Sequence, residues 1–275
     1  MHPPEAYILE MSDLMSSGTP RLQRIREPLA ITVESFDATP IHYDLYDAPS
    51  RTLVLILPGF WRDRRHKSMI RLANWFVSSG YRTAICDLRG HGDSGGTFGF
   101  NLSEHYDIAA VANDLLQRCS PQSITVIGLS YGGAIAISTV ARHELPIASM
   151  LLISSVADFA MVSPRINPFT IHRHIMVTQA IRRAPRFDWN LFRAPKLRAL
   201  DDMSNVHVPL SLIHMKNDWL IDHTHSIALY ERANDPKELH IIDTPGNYHA
   251  DRILLNAPAQ IEPLISDFLS RYSAV

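Results

Sequence analysis

Glycine is scarce in this sequence, with 12 residues among 275, where average usage of about 7% would give roughly 19. Eight of the 12 nevertheless fall in three short places: Gly59, the segment 90–96 and the segment 128–133. Glycine accepts backbone angles and close approaches that side chains forbid. The clustering therefore predicts three points at which the backbone needs special geometry.

Cysteine, excess charge and long apolar runs are lacking as well. The two cysteines are too few for a disulfide framework, and the net charge of −2 excludes a strongly basic surface of the kind that binds nucleic acid. The longest aliphatic runs, such as 53–57, fall far short of the ~20 residues that a membrane-spanning helix needs. The first residues lack the positive start and apolar core of a secretory signal. We therefore expect a cytoplasmic protein with no membrane span and no nucleic-acid partner.

Short apolar runs that alternate with amphipathic segments of helix length predict an α/β domain. Two alternating stretches, 29–35 and 41–46, are typical of a hairpin because a turn sequence separates them. From residue 52 onward the runs are continuous, which is typical of parallel strands covered by helices on both faces. The continuous runs are 53–57, 83–86, 124–127, 148–153, 210–214 and 239–242, and the helical candidates are 66–79, 103–119, 131–142, 224–233 and 258–271.

One long interval breaks this alternation, because no good strand run occurs between Ser154 and Pro209. Prolines divide it into short pieces, and residues 155–205 hold eight Lys or Arg against four Asp or Glu. A connection of this length is usually functional or has structure of its own. We therefore predict a basic helical cap at 155–205, an α/β core made of residues 29–154 and 206–275, and an N-terminal leader at 1–28.

The strongest chemical signal is the sequence Gly128-Leu-Ser130-Tyr-Gly132-Gly133. It follows a predicted buried strand directly and opens a predicted helix, which is the pattern of a nucleophile elbow. In such an elbow the serine lies in a strained turn squeezed between strand and helix, so the positions two before and two after it must be small. The sequence thus predicts Ser130 as a nucleophile.

A nucleophilic serine needs a general base, and the base needs a carboxylate that orients it. On α/β scaffolds with a nucleophile elbow, the three residues follow in the order serine, acid, histidine, each after a strand. Asp218 follows the run 210–214, and His249 follows the run 239–242, so these two are the predicted acid and base. Asp222 is an alternative acid whose other role would be to cap the next helix. His91 precedes Ser130 and so falls in the wrong order.

Two backbone amides are predicted to stabilise the negative charge that develops on a substrate oxygen. One belongs to Tyr131, directly after the nucleophile, and the other to Phe60, in the loop Pro58-Gly59-Phe60-Trp61. Trp61 beside this loop, with Phe159 and Met161 of the predicted cap, forms the expected substrate-binding lining. Other apolar cap residues that could contribute are Phe169, Ile171, Ile175, Met176 and Trp189.

Together these residues resemble the α/β-hydrolase superfamily, in particular its serine hydrolases, which include esterases, monoacylglycerol lipases and aminopeptidase-like relatives. The resemblance covers nearly the whole chain from about residue 29. It implies a mostly parallel eight-stranded sheet with the cap inserted after the sixth strand. The sequence departs from many relatives in having Pro58-Gly59 where they have His-Gly, which leaves Ser130, Asp218 and His249 intact.

From this resemblance we expect a serine carboxylesterase that acts on a small-molecule acyl ester and needs no metal or organic cofactor. Serine as the nucleophile argues against haloalkane dehalogenase and epoxide hydrolase relatives, which use aspartate at that position. Thioester or monoacylglycerol hydrolysis is the alternative activity, and a non-catalytic ligand-binding module is the alternative from another class. The sequence leaves the oligomeric state and the chain length of the acyl group open.

Overall fold

The computed structural model describes residues 7–9, 22–24, 27–100, 103–162, 184–189 and 196–273. Within these ranges the strands are β1 Tyr7–Leu9, β2 Leu22–Arg24, β3 Leu29–Glu34, β4 Pro40–Tyr46, β5 Thr52–Leu57, β6 Arg82–Cys86, β7 Ser123–Leu129, β8 Ile147–Ile153, β9 Leu210–Met215 and β10 Lys237–Ile242. The predicted hairpin and all six continuous runs are thus confirmed as strands. The pair β1 and β2, in the predicted leader, forms a separate two-stranded antiparallel sheet that the sequence analysis did not anticipate.

The other eight strands form one sheet in the spatial order β10-β9-β8-β7-β5-β6-β4-β3. Strand β4 runs antiparallel to both of its neighbours, and the remaining neighbouring pairs are parallel. A mostly parallel eight-stranded sheet is therefore confirmed.

Helices cover both faces of this sheet, and the five predicted helices are present within two residues at each end. The described helices are α1 Lys67–Ser78, α2 Glu104–Cys119, α3 Tyr131–Arg142, α4 Ala199–Asp202, α5 Thr224–Arg232, α6 Asp251–Asn256 and α7 Pro258–Tyr272. The short helices α4 and α6 were not predicted, since one or two turns are too short to show a helical period.

Strand β5 shows why the runs are continuously apolar. All six of its residues are buried, and successive side chains point to opposite faces of a sheet. Leu53, Leu55 and Leu57 join the core beneath α2 and α3, whereas Val54 and Ile56 join the core beneath α1 and α7. Because both faces pack on helices, the five residues that follow Thr52 in this strand are all aliphatic.

The parallel strands bring their carboxyl ends to a single edge of the sheet, and the chain leaves each of them there as a loop or turn. Pro58 follows β5, Ser130 follows β7, Ser154 follows β8, and the loops that hold Asp218 and His249 follow β9 and β10. Ligand sites of open α/β sheets lie at this edge.

The predicted cap at 155–205 lies mostly outside the described residues, so its boundaries stay a prediction. The described parts include a short 3₁₀ helix at Phe159–Met161, the helix α4 and a second 3₁₀ helix at Met203–Asn205. Phe187 forms an isolated bridge with Phe98, which places this part of the interval against the glycine-rich segment 90–96.

Candidate active site

Ser130 lies at the tight turn between β7 and α3, with the φ angle of +52° that L-residues rarely adopt. Its amide donates to the carbonyl of Ile153 at 2.9 Å, and its own carbonyl accepts from Gly133 at 3.0 Å. A Cβ at Gly128 would collide with the backbone of Gly133, and one at Gly132 would collide with the carbonyls of Leu57 and Pro58. The steric reason for the glycine spacing is thus visible in the structure.

Ser130, His249 and Asp218 form one continuous hydrogen-bonded chain. The Nε2 atom of His249 lies 2.8 Å from the Oγ of Ser130. The Nδ1 atom of the same ring lies 2.8 Å from Oδ2 and 3.0 Å from Oδ1 of Asp218. The structure therefore brings together three residues that are up to 119 positions apart in the sequence.

The side chain of Asp218 is fully buried, yet it is held as a carboxylate. Burial by itself raises the pKa of this group, but the charge of the His249 ring and hydrogen bonds from His214 and His249 outweigh it, so the pKa lies below the ordinary value. The backbone amides of Leu220 and Ile221 also donate to Oδ1, at 2.9 and 3.1 Å. A carboxylate with this many donors is suited to orient a histidine.

The alternative acid, Asp222, lies elsewhere. Its Oδ1 accepts from the amide of Thr224 at 3.0 Å, at the start of α5, and it is exposed. His214, within β9, is fully buried, with Nδ1 2.6 Å from the Ser226 hydroxyl and Nε2 3.0 Å from the Ile221 carbonyl.

Ser154 joins the Asp218 loop to the His249 loop, and sequence reasoning missed it. Its hydroxyl donates to Oδ2 of Asp218 at 2.8 Å and accepts from the amide of Ala250 at 3.2 Å. The residue is fully buried and has a φ angle of +51°, so the backbone is strained where β8 ends. A serine directly after a buried strand was the available signal, but its partners lie 64 and 96 residues away.

The loop after β5 lies against Ser130. A Cβ built on Gly59 would be 3.0 Å from the Cβ of Ser130, so only glycine lets the backbone approach this closely. Phe60 lines the same cleft as Ser130. Tyr131 is the first residue of α3, and its side chain turns away from the cleft to donate to the buried carboxylate of Glu104 at 2.5 Å. Only the Tyr131 backbone is therefore available to a substrate.

An open cleft leads to Ser130 and His249. Trp61, one of the predicted lining residues, borders it. Its other lining residues are Gly59, Phe60, Arg62, Trp219, Leu220, Ala250, Asp251 and Arg252. Trp219 and Leu220 were not predicted, although they directly follow Asp218. Arg62, Asp251 and Arg252 were also missed as lining residues.

Phe159 and Met161, the other two predicted lining residues, lie at the start of the interval 155–205. The Phe159 ring packs on Phe100 and Tyr131, with centroids 4.6 and 5.6 Å apart, and so belongs to an aromatic cluster beside the elbow. Met161 is 37% exposed. Phe169, Ile171, Ile175 and Met176 lie outside the described residues, and Trp189 is fully exposed.

The glycine-rich segment 90–96 is held in place by ion pairs at and just before it. Asp87, directly before it, pairs with the buried guanidinium of Arg64, and the same guanidinium binds Asp44 and Asp93 at 2.9 Å. His91 is buried edge-on to the ring of Phe60, and burial lowers its pKa to about 4. These contacts agree with a structural role for the segment beneath the Phe60 loop.

Within the described residues, no three or more His, Cys, Asp or Glu side chains are grouped so that they could hold a metal ion. No helix in the same part of the chain is both long and apolar enough to cross a membrane.

Comparison with known proteins places this geometry in a family. Residues 54–266 match the model of the alpha/beta hydrolase family. The uncharacterized protein YfhR of Escherichia coli is 26% identical over 183 residues, which are 66% of this chain and 57% of that protein. The chain thus aligns with little more than half the length of this curated relative.

Solved structures share the fold over nearly the whole chain. The esterase Pf2001 of Pyrococcus furiosus superposes with a TM-score of 0.71 at 21% identity, covering 90% of this chain and 93% of that one. The esterase RhEst1 of Rhodococcus gives a TM-score of 0.65 at 18% identity, covering 89% and 99%. The family match spans most of the sheet and includes Ser130, Asp218 and His249, and on this ground the chain belongs to the alpha/beta hydrolase family.

Proposed function

We propose that the protein is a serine carboxylesterase, which hydrolyses small acyl esters through an acyl-serine intermediate. The observation that carries the proposal is the hydrogen-bonded chain from the Ser130 hydroxyl through His249 to the buried Asp218 carboxylate. An activated serine of this kind attacks carbonyl carbon. The names of Pf2001 and RhEst1 as esterases agree with this activity.

The first half of the reaction acylates the serine. Nε2 of His249 takes the proton from Oγ of Ser130 as that oxygen attacks the ester carbonyl. The tetrahedral oxyanion is stabilised by the backbone amides of Phe60 and Tyr131. Asp218 keeps the proton on Nδ1 of His249 and stabilises the positive ring. The ring then gives its proton to the alcohol oxygen, and the C–O bond breaks.

The second half releases the acid. Water, deprotonated by His249, attacks the acyl carbonyl, and the same two amides hold the second oxyanion. The acid leaves, and the proton on His249 returns to Ser130. Trp61, Trp219 and Leu220 border the cleft in which both steps occur and offer apolar contacts to the substrate.

The test is hydrolysis of p-nitrophenyl butanoate by the wild type, by Ser130→Ala and by Ser155→Ala. Ser155 is the matched control, because it is also fully buried, lies against α3 at Gly133 and has no hydrogen-bond partner among the described residues. We expect Ser130→Ala to lower kcat/KM at least about a thousandfold and Ser155→Ala to leave it nearly unchanged.

A fluorophosphonate probe checks the mechanism independently of turnover. It should label the wild type at Ser130, as mapped by mass spectrometry of peptides, and leave Ser130→Ala unlabelled. Hydrolysis at the wild-type rate by Ser130→Ala would exclude the acyl-serine route. The same assay with a thioester and with a monoacylglycerol tests the alternative activities. A much higher kcat/KM for either one than for the p-nitrophenyl ester would replace the carboxylesterase assignment.

A further inference from the structure

Among the described residues that border the cleft beside Ser130, two arginines and one aspartate carry charged side chains. Arg62, Asp251 and Arg252 border it together with Ser130 and His249. Nε of Arg62 lies 3.1 Å from Oδ2 of Asp251, and both side chains are more than nine-tenths buried. One of the two arginines is therefore neutralised within the wall of the cleft.

The carboxylate of Asp251 forms an ion pair with Arg62. Burial by itself raises the pKa of Asp251, but the charge of Arg62 and hydrogen bonds from Ser68 and Arg62 outweigh it, so the pKa lies below the ordinary value. The carboxylate is thus ionised and paired. It is within ion-pair distance of Arg62, whereas no such pair joins it to Arg252.

Arg252 is the uncompensated charge. Its side chain is half-buried, and no described carboxylate lies within 4.0 Å of its guanidinium. In contrast, Arg64, Arg89 and Arg142, which lie in other parts of the molecule, each pair with at least one carboxylate. A guanidinium presents a fork of donors that matches a carboxylate, and at Arg252 this fork has no carboxylate partner among the described residues.

The position of Arg252 relates it to one side of the substrate. It lies one helical turn after His249, and its amide donates to the His249 carbonyl at 3.0 Å. Because His249 protonates the departing alcohol oxygen, the alcohol part of the ester must lie on the His249 side of the scissile bond. A group attached to the alcohol is therefore the part of the substrate that reaches Arg252.

We propose that the cleft selects esters whose alcohol part carries a carboxylate, and that Arg252 is the residue that recognises it. This inference rests on the proposed esterase function and names its substrate class. One uncompensated positive charge matches a carboxylate monoanion, whereas a phosphate monoester would bring close to two negative charges to the same place. Trp61, Trp219 and Leu220 offer apolar contacts to the rest of the substrate.

The experiment compares two esters of nearly equal size, carboxymethyl butanoate and carbamoylmethyl butanoate, which differ only in a carboxylate against a neutral amide. Each is assayed with the wild type, Arg252→Gln and Arg71→Gln. Arg71 is the matched control because it is exposed and does not border the cleft. The criterion is the kcat/KM of the carboxylate ester divided by that of the amide ester, and the change in this ratio on substitution. The intrinsic reactivities of the two esters cancel in that change.

We expect Arg252→Gln to lower this ratio about tenfold, mainly through a higher KM for the carboxylate ester, with a smaller loss of kcat/KM on the amide ester. Arg71→Gln should leave the ratio unchanged. A second pair, monoethyl succinate and ethyl succinamate, carries the same difference on the acyl side and should respond little to Arg252→Gln.

An unchanged ratio in Arg252→Gln would overturn the assignment of Arg252, and a larger effect on the succinate pair would overturn the assignment to the alcohol side. In either case, activity of the wild type on the neutral esters that is lost in Ser130→Ala would leave the esterase proposal standing. Absence of Ser130-dependent hydrolysis of every ester would overturn both proposals.

Discussion

Replacing Ser154 with alanine tests whether His249 and Asp218 are held together by a residue outside the proposed triad. The Ser154 hydroxyl donates to Asp218 and accepts from the amide of Ala250, the residue after His249. Ser154→Ala removes both hydrogen bonds at once. Asp218 keeps the amides of Leu220 and Ile221 on its other oxygen, so its carboxylate is less well held but still ionised.

The size of the effect follows from burial. Ala250 is 2% exposed, and an amide left without an acceptor in such a place costs about 1–3 kcal/mol of folding free energy. A hydrogen bond to the charged Asp218 is worth about 1.5–3 kcal/mol. If the reaction loses about 1.4–2.7 kcal/mol of transition-state stabilisation through poorer orientation of His249, kcat falls about tenfold to a hundredfold.

Ser154→Gly separates the hydroxyl from the backbone. It removes the same two hydrogen bonds, but glycine accepts the φ angle of +51° at this position without strain. We therefore expect Ser154→Gly to be about 1 kcal/mol more stable than Ser154→Ala, with the same loss of kcat and little change in KM. The assays are urea unfolding at pH 7 and steady-state hydrolysis of p-nitrophenyl butanoate.

The reasoning would be refuted by a normal kcat in Ser154→Ala. It would also be refuted if kcat recovered in Ser154→Gly together with stability, because the residue would then matter only through the backbone. The neighbouring Ser155→Ala provides the background for a lost serine hydroxyl at the same end of the sheet.

Three further outcomes are expected. Burial lowers the pKa of His91 to about 4, so the unfolded chain takes up a proton first as the pH falls, and about 3 kcal/mol of folding stability is lost between about pH 7 and pH 4. In urea unfolding, the stability of His91→Gln should therefore fall less over this pH range than that of the wild type, and an identical fall would contradict the assignment. Gly132→Ala places a Cβ against the carbonyls of Leu57 and Pro58, so the Tm should drop sharply, with a cost of about 3 kcal/mol or more; an unchanged Tm would mean that the elbow can relax. Gly59→Ala puts a Cβ 3.0 Å from that of Ser130 and should lower kcat/KM about tenfold or more, with a smaller drop in Tm than Gly132→Ala. A fully active variant would show that the loop after β5 need not approach Ser130 this closely.

The strands of the sheet were predictable because of how they are covered. A strand packed on both faces is apolar at most positions, so β5, β7 and β8 stand out in the sequence as nearly continuous apolar runs. The antiparallel hairpin of β3 and β4 was predictable from its alternation, since it lies at the edge of the sheet. The short helix α6 was missed, because six residues carry too little periodicity.

The sequence by itself determined the parts of the site that depend on local geometry and chain order. The glycines around Ser130 mark a turn that only small residues fit, and Asp218 and His249 follow strands in the order that the scaffold requires. The tertiary structure alone decided that Asp218, rather than Asp222, meets His249. It also decided that Ser154 links their two loops, that Arg62 neutralises Asp251, and that Arg252 has no carboxylate partner within the described part of the chain. The physical reason is the same in each case: these are contacts between side chains carried by different loops, and their distances depend on how the sheet and helices pack rather than on any spacing along the chain.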